Sequence, residues 1–134
     1  MERNLWWGRA MTAARSILVV EDDWLSADHL RATLLGLGYA VCGPVATADE
    51  AVRLARKERP AAVLMDVRLS GARDGIHAAI EIAGQRPVPI VYVTASDDSA
   101  TRRRLQDQNP AAVLVKPIDR EQLRAALARI CPLT

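Results

Sequence analysis

Four apolar runs of this 134-residue chain end in side chains that could act together on one substrate. These side chains are the acids Glu21, Asp22 and Asp66, the hydroxyl of Thr94 and the amine of Lys116. Three carboxylates gathered in one place repel one another, so either a pKa rises or a cation binds between them. Hard divalent ions prefer oxygen ligands, and Mg²⁺ uses one or two carboxylates while keeping several waters. The acids therefore predict a magnesium site.

The amine and the hydroxyl indicate that an anion also enters this site. The chain contains 16 arginines and only two lysines, Lys57 and Lys116. Lysine is a compact charge on a flexible stem, and a threonine hydroxyl can donate a hydrogen bond to the same anion. A nucleophilic carboxylate, a shielding metal and these two groups suit transfer of a phosphoryl group to an aspartate. Asp66, which ends the run VLMD, is the predicted acceptor.

Strands and helices must alternate along the chain to bring these side chains to one edge of a sheet. Apolar runs predict strands at 17–21, 39–43, 61–66, 89–94 and 111–115. Helical spacing and capping residues predict helices at 24–37, 47–57, 74–84, 97–107 and 119–130. Gly38 is a predicted C-cap, Thr47 and Glu50 a capping box, and Asp119 an N-cap. The fold class is α/β, a doubly wound parallel sheet of five strands with five helices on its two faces.

Composition and charge narrow the function further. The length fits one domain, predicted at 16–131 between a flexible leader, 1–15, and a short tail, 132–134. The net charge of +2 lies in the leader, and the rest contains 15 basic and 15 acidic residues. A balanced domain is not typical of nucleic-acid binding. No apolar run approaches the roughly 18 residues of a membrane span, and two distant cysteines are expected to be thiols, so we predict a cytoplasmic protein with no membrane partner.

The chain resembles the receiver domain of two-component response regulators over about residues 16–130. The resemblance rests on the motifs ILVVEDD, VLMD, VTA and VKP, in that order. It implies a flavodoxin-like strand order 2-1-3-4-5, with Asp66 as the phosphoacceptor. Asp22 resembles a direct Mg²⁺ ligand, Glu21 a ligand through water, and the backbone carbonyl of Arg68 the third protein ligand. Asp23 belongs to the acidic run but aligns just outside the pair.

The resemblance also implies a switch. Thr94, followed by Ala95, resembles the switch hydroxyl, and Lys116 the phosphate-binding lysine, whose bond to Pro117 is typically cis in this family. A histidine kinase or a histidine phosphotransfer protein would donate the phosphoryl group. The added charge would shift the last two helices. The face formed by the fourth helix, fifth strand and fifth helix would then bind a downstream protein target or form a homodimer.

The sequence departs from the family pattern in two places. Val113 stands where an aromatic residue usually switches between inward and outward positions, three residues before the lysine. The loop RLSGARDG has Ser70 in place of the usual proline and is one residue longer, with Gly71 added, which predicts a more flexible loop. Arg68 lies two residues after Asp66, and we hypothesise that its side chain contacts the acyl phosphate or an acid nearby.

Three interpretations of function remain open. A stand-alone receiver is not an enzyme beyond Mg²⁺-dependent self-phosphorylation and slow self-dephosphorylation. The second interpretation is the receiver of a larger hybrid kinase or regulator. An aspartate-nucleophile phosphatase is the third interpretation, although such enzymes usually place a second aspartate where this chain has Arg68. Arg102, Arg103 and Arg104, with His29 and His77, are interpreted as solvated helix faces.

Overall fold

The computed structural model describes residues 15–71, 73–95 and 99–133. Residues 1–14 of the predicted leader and Asp97 and Asp98, where the fourth helix was predicted to begin, lie outside these ranges. The described strands are β1 (Ser16–Val20), β2 (Ala40–Val45), β3 (Ala62–Asp66), β4 (Ile90–Thr94) and β5 (Ala112–Val115). The described helices are α1 (Trp24–Leu37), α2 (Ala48–Glu58), α3 (Gly75–Gln85), α4 (Ser99–Gln106) and α5 (Arg120–Ile130).

The strands form one parallel sheet in the order β2-β1-β3-β4-β5, which confirms the predicted topology. All the residues of β3 and β4 are buried, as their continuous apolar sequences AVLMD and IVYVT indicate. Because β1 lies beside β3 and β4 joins β3 to β5, the ends of four strands meet at one edge. This edge carries the acids, the hydroxyl and the lysine.

Two apolar layers hold the helices on opposite faces of the sheet. Alternate residues of β1 point to opposite layers, Ile17 and Val19 to one and Leu18 and Val20 to the other. The first layer packs against α1 and α5, and the second against α2, α3 and α4. The helix α4 contributes one buried residue, Leu105, to the second layer. It is the helix with the smallest buried face among those described.

Helix ends follow the predicted capping residues with one correction. Gly38 ends α1 in the left-handed region at φ 102°, and Asp119 caps α5 by accepting a hydrogen bond from Gln122 N–H. Thr47 caps α2 and accepts from Glu50 N–H at 3.2 Å. The reciprocal half of that capping box was wrong, because the Glu50 carboxylate accepts from the N–H of Ala46, one residue earlier, at 3.3 Å.

The strand β2 runs two residues beyond its predicted end. A Gly-Pro pair usually marks a turn, so the sequence predicts an end at Gly43. In the structure Gly43 has φ 83° and the pairing of β1 with β2 shifts between Leu18 and Val20, which lets the strand continue. Val45 then accepts a hydrogen bond from Glu21 N–H at 2.9 Å, so this extension supports the start of the acidic loop. No described helix combines the length and apolar character that crossing a membrane requires.

Candidate functional site

Three carboxylates meet where β1 and β3 end. Glu21, Asp22 and Asp66 each offer an oxygen, and these atoms lie within 4.8 Å of one another. Glu21 and Asp66 are only 3% and 6% exposed, whereas Asp22 is open to solvent. Such a set of hard oxygen donors fits a divalent cation such as Mg²⁺, which Asp22 can reach from the solvent side. The structure thus brings together the three acids that the sequence singled out.

Lys116 reaches this cluster from the end of the edge strand β5. Its Nζ lies 2.7 Å from Glu21 Oε1 and 3.2 Å from Asp66 Oδ2. Its backbone N–H donates to the carbonyl of Thr94 at 2.8 Å, so the ends of β4 and β5 are joined beside the acids. The bond from Lys116 to Pro117 is cis, and the Thr94 side chain is buried at the same edge. One ammonium therefore serves two buried carboxylates.

The charged side chains at this edge of the sheet shift one another's pKa. Burial raises the pKa of Glu21, a hydrogen bond shared with Asp66 raises it further, and the bond from Lys116 only partly offsets them. Burial lowers the pKa of Lys116, but its hydrogen bond to Glu21 and the charge of Asp66 outweigh burial and raise it overall. The amine thus stays charged while two acids compete for it. A second cation would relieve that competition.

Asp66 is also held from its own loop. Its Oδ1 accepts a hydrogen bond from Arg68 N–H at 3.1 Å, and the Arg68 side chain is exposed. No ion pair joins the Arg68 guanidinium to an acid among the described residues, and its hypothesised contact stays a prediction. Gly75, the first residue of α3, donates to Val67 O at 2.8 Å and lies against the carbonyl of Asp66. The sequence pattern predicts no role for Gly75 beyond the turn that the pair Asp-Gly signals.

The lengthened loop between β3 and α3 makes contacts with α2 and with the acidic loop. Ser70 Oγ donates to Asp22 Oδ2 at 3.0 Å, and the backbone of Ser70 forms a parallel bridge with Thr47. Arg73 donates to Asp49 at 3.0 Å and also pairs with Glu81 of α3. The sequence predicts a flexible loop here, but it did not predict these contacts on both sides of position 72.

Asp74 joins the start of α3 to α4. Its Oδ1 accepts from the N–H groups of Ile76 and His77, and its Oδ2 lies 3.0 Å from Arg104 Nη1. His77 Nδ1 accepts from Asp74 N–H at 3.3 Å and completes a capping box. From the sequence, Arg104 and His77 were predicted only to lie on solvated helix faces. No spacing rule would have paired Arg104 with an aspartate 30 residues earlier.

The aromatic residue missing from position 113 has a counterpart on the neighbouring strand. Tyr92 of β4 is directly opposite Val113 of β5 in the sheet. Tyr92 is 1% exposed, and burial raises the pKa of its hydroxyl to about 12. Val113 is 41% exposed, so the buried aromatic side chain of this strand pair is that of Tyr92. Ala95 is exposed and is the last residue described before α4.

This combination of the buried Asp66, the adjacent acids Glu21 and Asp22 and a lysine at the end of a doubly wound sheet agrees with the family comparison. The profile of the response regulator receiver domain matches residues 17–128, which is most of the chain. The chain belongs to the response regulator receiver domain family. The resemblance drawn from the four motifs is therefore confirmed, together with the flavodoxin-like fold.

This receiver domain is similar to two curated regulators. It is 39% identical over 113 residues to the transcriptional regulatory protein PdtaR of Mycobacterium tuberculosis, covering 84% of this chain and 55% of the relative. It is 30% identical over 125 residues to the phyllosphere-induced regulator PhyR of Methylorubrum extorquens, covering 91% of this chain and 46% of the relative. The receiver domain thus spans about half the length of each relative.

Solved receiver domains share the fold closely. One is the signal receiver domain of a modulated diguanylate cyclase from Desulfovibrio desulfuricans, with a TM-score of 0.82, 37% identity and coverage of 87% of this chain and 93% of that one. Another is the receiver domain of a sensor histidine kinase from Pseudomonas aeruginosa, with a TM-score of 0.80, 36% identity and coverage of 87% and 97%. That second structure has a magnesium ion coordinated in its active site cleft.

Proposed function

We propose that this receiver domain accepts a phosphoryl group on Asp66 from a phosphohistidine of a histidine kinase or a histidine phosphotransfer protein. The observation that supports this most strongly is the shared ion pair of Lys116 with Glu21 and Asp66 beside the exposed Asp22. A purely structural buried acid needs one partner. Here two buried acids share one amine, and the third acid, Asp22, is exposed to solvent. This arrangement suits a site that binds a cation and then gains a phosphoryl group.

The transfer itself exchanges one bond for another. A carboxylate oxygen of Asp66 attacks phosphorus, the bond from phosphorus to the donor imidazole nitrogen breaks, and its electron pair returns to that nitrogen. Asp22, Asp66 and the carbonyl of Arg68 would hold Mg²⁺ directly, and Glu21 would hold it through water. When bound, Mg²⁺ supplies positive charge that offsets the negative charge of the transferring phosphoryl group.

The new charge then changes the ion pairs and hydrogen bonds of the side chains at this edge of the sheet. An aspartyl phosphate carries nearly two negative charges, which compete with Glu21 for the Lys116 amine. The Thr94 hydroxyl lies at the end of the adjacent strand and would donate to a phosphoryl oxygen. Because Lys116 directly follows β5 and Thr94 ends β4, their rearrangement would reach the face formed by α4, β5 and α5.

That face is the proposed site for a downstream protein or for a homodimer. Val113 and Val115 on β5 are 41% and 48% exposed there, so apolar surface is available for a protein partner. No nucleic acid or membrane is needed for this role. The cytoplasmic location and the domain boundaries, with a leader at 1–15 and a tail at 132–134, stay predictions.

We further propose that the domain acts as a phosphorylation-controlled regulator, with no catalysis beyond its own phosphorylation and slow dephosphorylation. The matched region spans only about half of the regulators PdtaR and PhyR, so the receiver of a larger hybrid kinase or regulator remains the second candidate. A phosphatase is less well supported, because Arg68 occupies the position where such enzymes usually carry a second aspartate.

Treatment with acetyl phosphate in the presence and absence of MgCl₂ tests this proposal. Intact mass spectrometry should show one added phosphoryl group per chain, only with Mg²⁺, and none in Asp66→Asn. Steady release of phosphate at many turnovers would instead favour the phosphatase. Unmodified protein at saturating donor and Mg²⁺ would contradict the proposal.

A further inference from the structure

Ser70 forms a hydrogen bond with Asp22, the exposed acid of the cluster. Its hydroxyl donates to Asp22 Oδ2 at 3.0 Å, across 48 positions of sequence. We propose that Ser70 is a positioning residue, which holds the Asp22 carboxylate in the orientation needed for Mg²⁺ and so sets the affinity of the site for the ion. The inference rests on the proposed function, because it assumes that Asp22 binds the metal.

Asp22 is the acid that most needs such a contact. Glu21 is buried, is paired with Lys116 and accepts from Asp23 N–H at 3.1 Å. Asp66 is buried and is held by Lys116 and by the N–H of Arg68. Asp22 is exposed, and among the described residues Ser70 is the only hydrogen-bond partner of its carboxylate. Without it, the side chain would be free to adopt other rotamers in solvent.

The serine is itself held in place by the loop that carries it. Its backbone forms a parallel bridge with Thr47, the N-cap of α2. Gly71 follows at φ 100°, a conformation that glycine adopts without strain, and Arg73 then pairs with Asp49 of α2. The hydroxyl is therefore presented to Asp22 from a segment attached to a helix. Proline, which usually occupies this position, has no donor to offer.

The hydrogen bond leaves Asp22 able to coordinate a cation. Ser70 donates to Oδ2 alone, which leaves Oδ1 as a second oxygen of the same carboxylate for a metal. Partners that orient a metal-binding carboxylate typically change metal affinity by 10- to 100-fold when they are removed. Because Ser70 and Asp22 are both exposed, we expect the lower end of that range, about tenfold.

Calorimetric titration of the unphosphorylated full chain with MgCl₂ measures this affinity without any phosphoryl transfer. The variants are Ser70→Ala, which removes the hydroxyl, and Ser70→Thr, which restores one. The matched control is Ser26→Ala, since Ser26 Oγ donates to Asp23, the neighbouring aspartate that is not proposed as a ligand, at 2.6 Å. We expect the dissociation constant for Mg²⁺ to rise about tenfold in Ser70→Ala, and to stay near the wild-type value in Ser70→Thr and Ser26→Ala.

The phosphorylation rate gives an independent measurement. Asp22 positioning predicts that Ser70→Ala raises the Mg²⁺ concentration needed for half-maximal phosphorylation by acetyl phosphate, while the rate at saturating Mg²⁺ is preserved. A general loss of structure would also lower the rate of phosphorylation at saturating Mg²⁺. Equal affinities in wild type and Ser70→Ala, weak binding in Ser70→Thr, or an equal loss in Ser26→Ala would each overturn the inference alone. Failure of the wild-type chain to bind Mg²⁺ would overturn the proposed function with it.

Discussion

Gly75 approaches the end of β3 so closely that a Cβ at position 75 would lie 1.9 Å from the backbone oxygen of Asp66. The helix α3 therefore begins directly against the residue that ends β3. No side chain fits between them, since even a methyl group would overlap the carbonyl. This contact fixes the position of the Asp66 backbone relative to α3.

The Gly75→Ala substitution is expected to destabilise the fold by about 3 kcal/mol or more, because the helix must move away from β3. Gly84 of the same helix provides the matched control, since nothing lies within 4 Å of a Cβ built there. Gly84→Ala should instead stabilise the domain by up to about 1 kcal/mol through helix propensity. Urea unfolding measures both changes. Similar free energies of unfolding for the two variants would contradict the close contact.

Removing the Lys116 amine should expose the repulsion between Glu21 and Asp66. In the absence of Mg²⁺, Lys116→Met is expected to lower the free energy of unfolding by about 3 kcal/mol, because buried carboxylates lose their cation. MgCl₂ should restore part of that loss by supplying positive charge.

The exposed Lys57 is the only other lysine of the chain, so Lys57→Met serves as the control. Its effect should stay within about 0.5 kcal/mol, with or without Mg²⁺. Equal urea midpoints for Lys116→Met and wild type in metal-free buffer would show that the amine is not holding the two acids together.

The ion pair of Asp74 with Arg104 predicts a pH dependence of stability. Burial would raise the pKa of Asp74, but the hydrogen bond from His77 N–H and the charge of Arg104 hold it below its ordinary value. The carboxylate is thus more easily ionised in the folded chain. Its contribution is fully present above the unfolded pKa, about 3.9, and is lost as pH falls through the lower folded value.

At neutral pH, Asp74→Asn should cost about 1 kcal/mol, because asparagine can still cap α3 but cannot pair with Arg104. The difference from wild type should shrink as the pH drops below about 4. Arg104→Gln should remove part of the same contribution, whereas Arg103→Gln, on the same helix, should not. Thermal unfolding across pH measures this, and a gap that widens in acid would contradict the assignment.

Tyr92, rather than residue 113, is expected to carry the aromatic packing of this edge. Tyr92→Val should cost about 3 kcal/mol by leaving a cavity under α3 and α4. Val113→Tyr, at an exposed position of β5, should change stability by less than about 0.5 kcal/mol. The double variant should be no more stable than Tyr92→Val alone. Recovery of stability in the double variant would show that the two positions share one space.

The sequence was sufficient to predict features that depend on local patterns. The bounds of α1 with its Gly38 cap, the Asp119 cap and the position of Asp66 at the end of β3 all follow from apolar spacing and capping residues. The gathering of the acids and Lys116 followed from the rule that parallel strands meet at one edge. Patterns of this kind repeat along a few residues, so one sequence reveals them.

The features that escaped prediction depend on the path of a loop. Ser70 meets Asp22, and Arg104 meets Asp74, only after the chain between β3 and α3 has taken its course. The close approach of Gly75 to Asp66 has the same origin. Neither composition nor periodicity encodes these distances. The position of the buried Tyr92 directly opposite the exposed Val113 also depends on the register of β4 against β5.

The most direct test of the central claim is to locate the phosphoryl group chemically. After treatment with acetyl phosphate and MgCl₂, borohydride reduces an aspartyl phosphate to a stable homoserine, which peptide mass spectrometry can assign to a position. The account predicts reduction at Asp66 alone, dependent on Mg²⁺ and strongly diminished when Asp22 is replaced by alanine. Labelling at another residue, or none at Asp66 under saturating conditions, would contradict it.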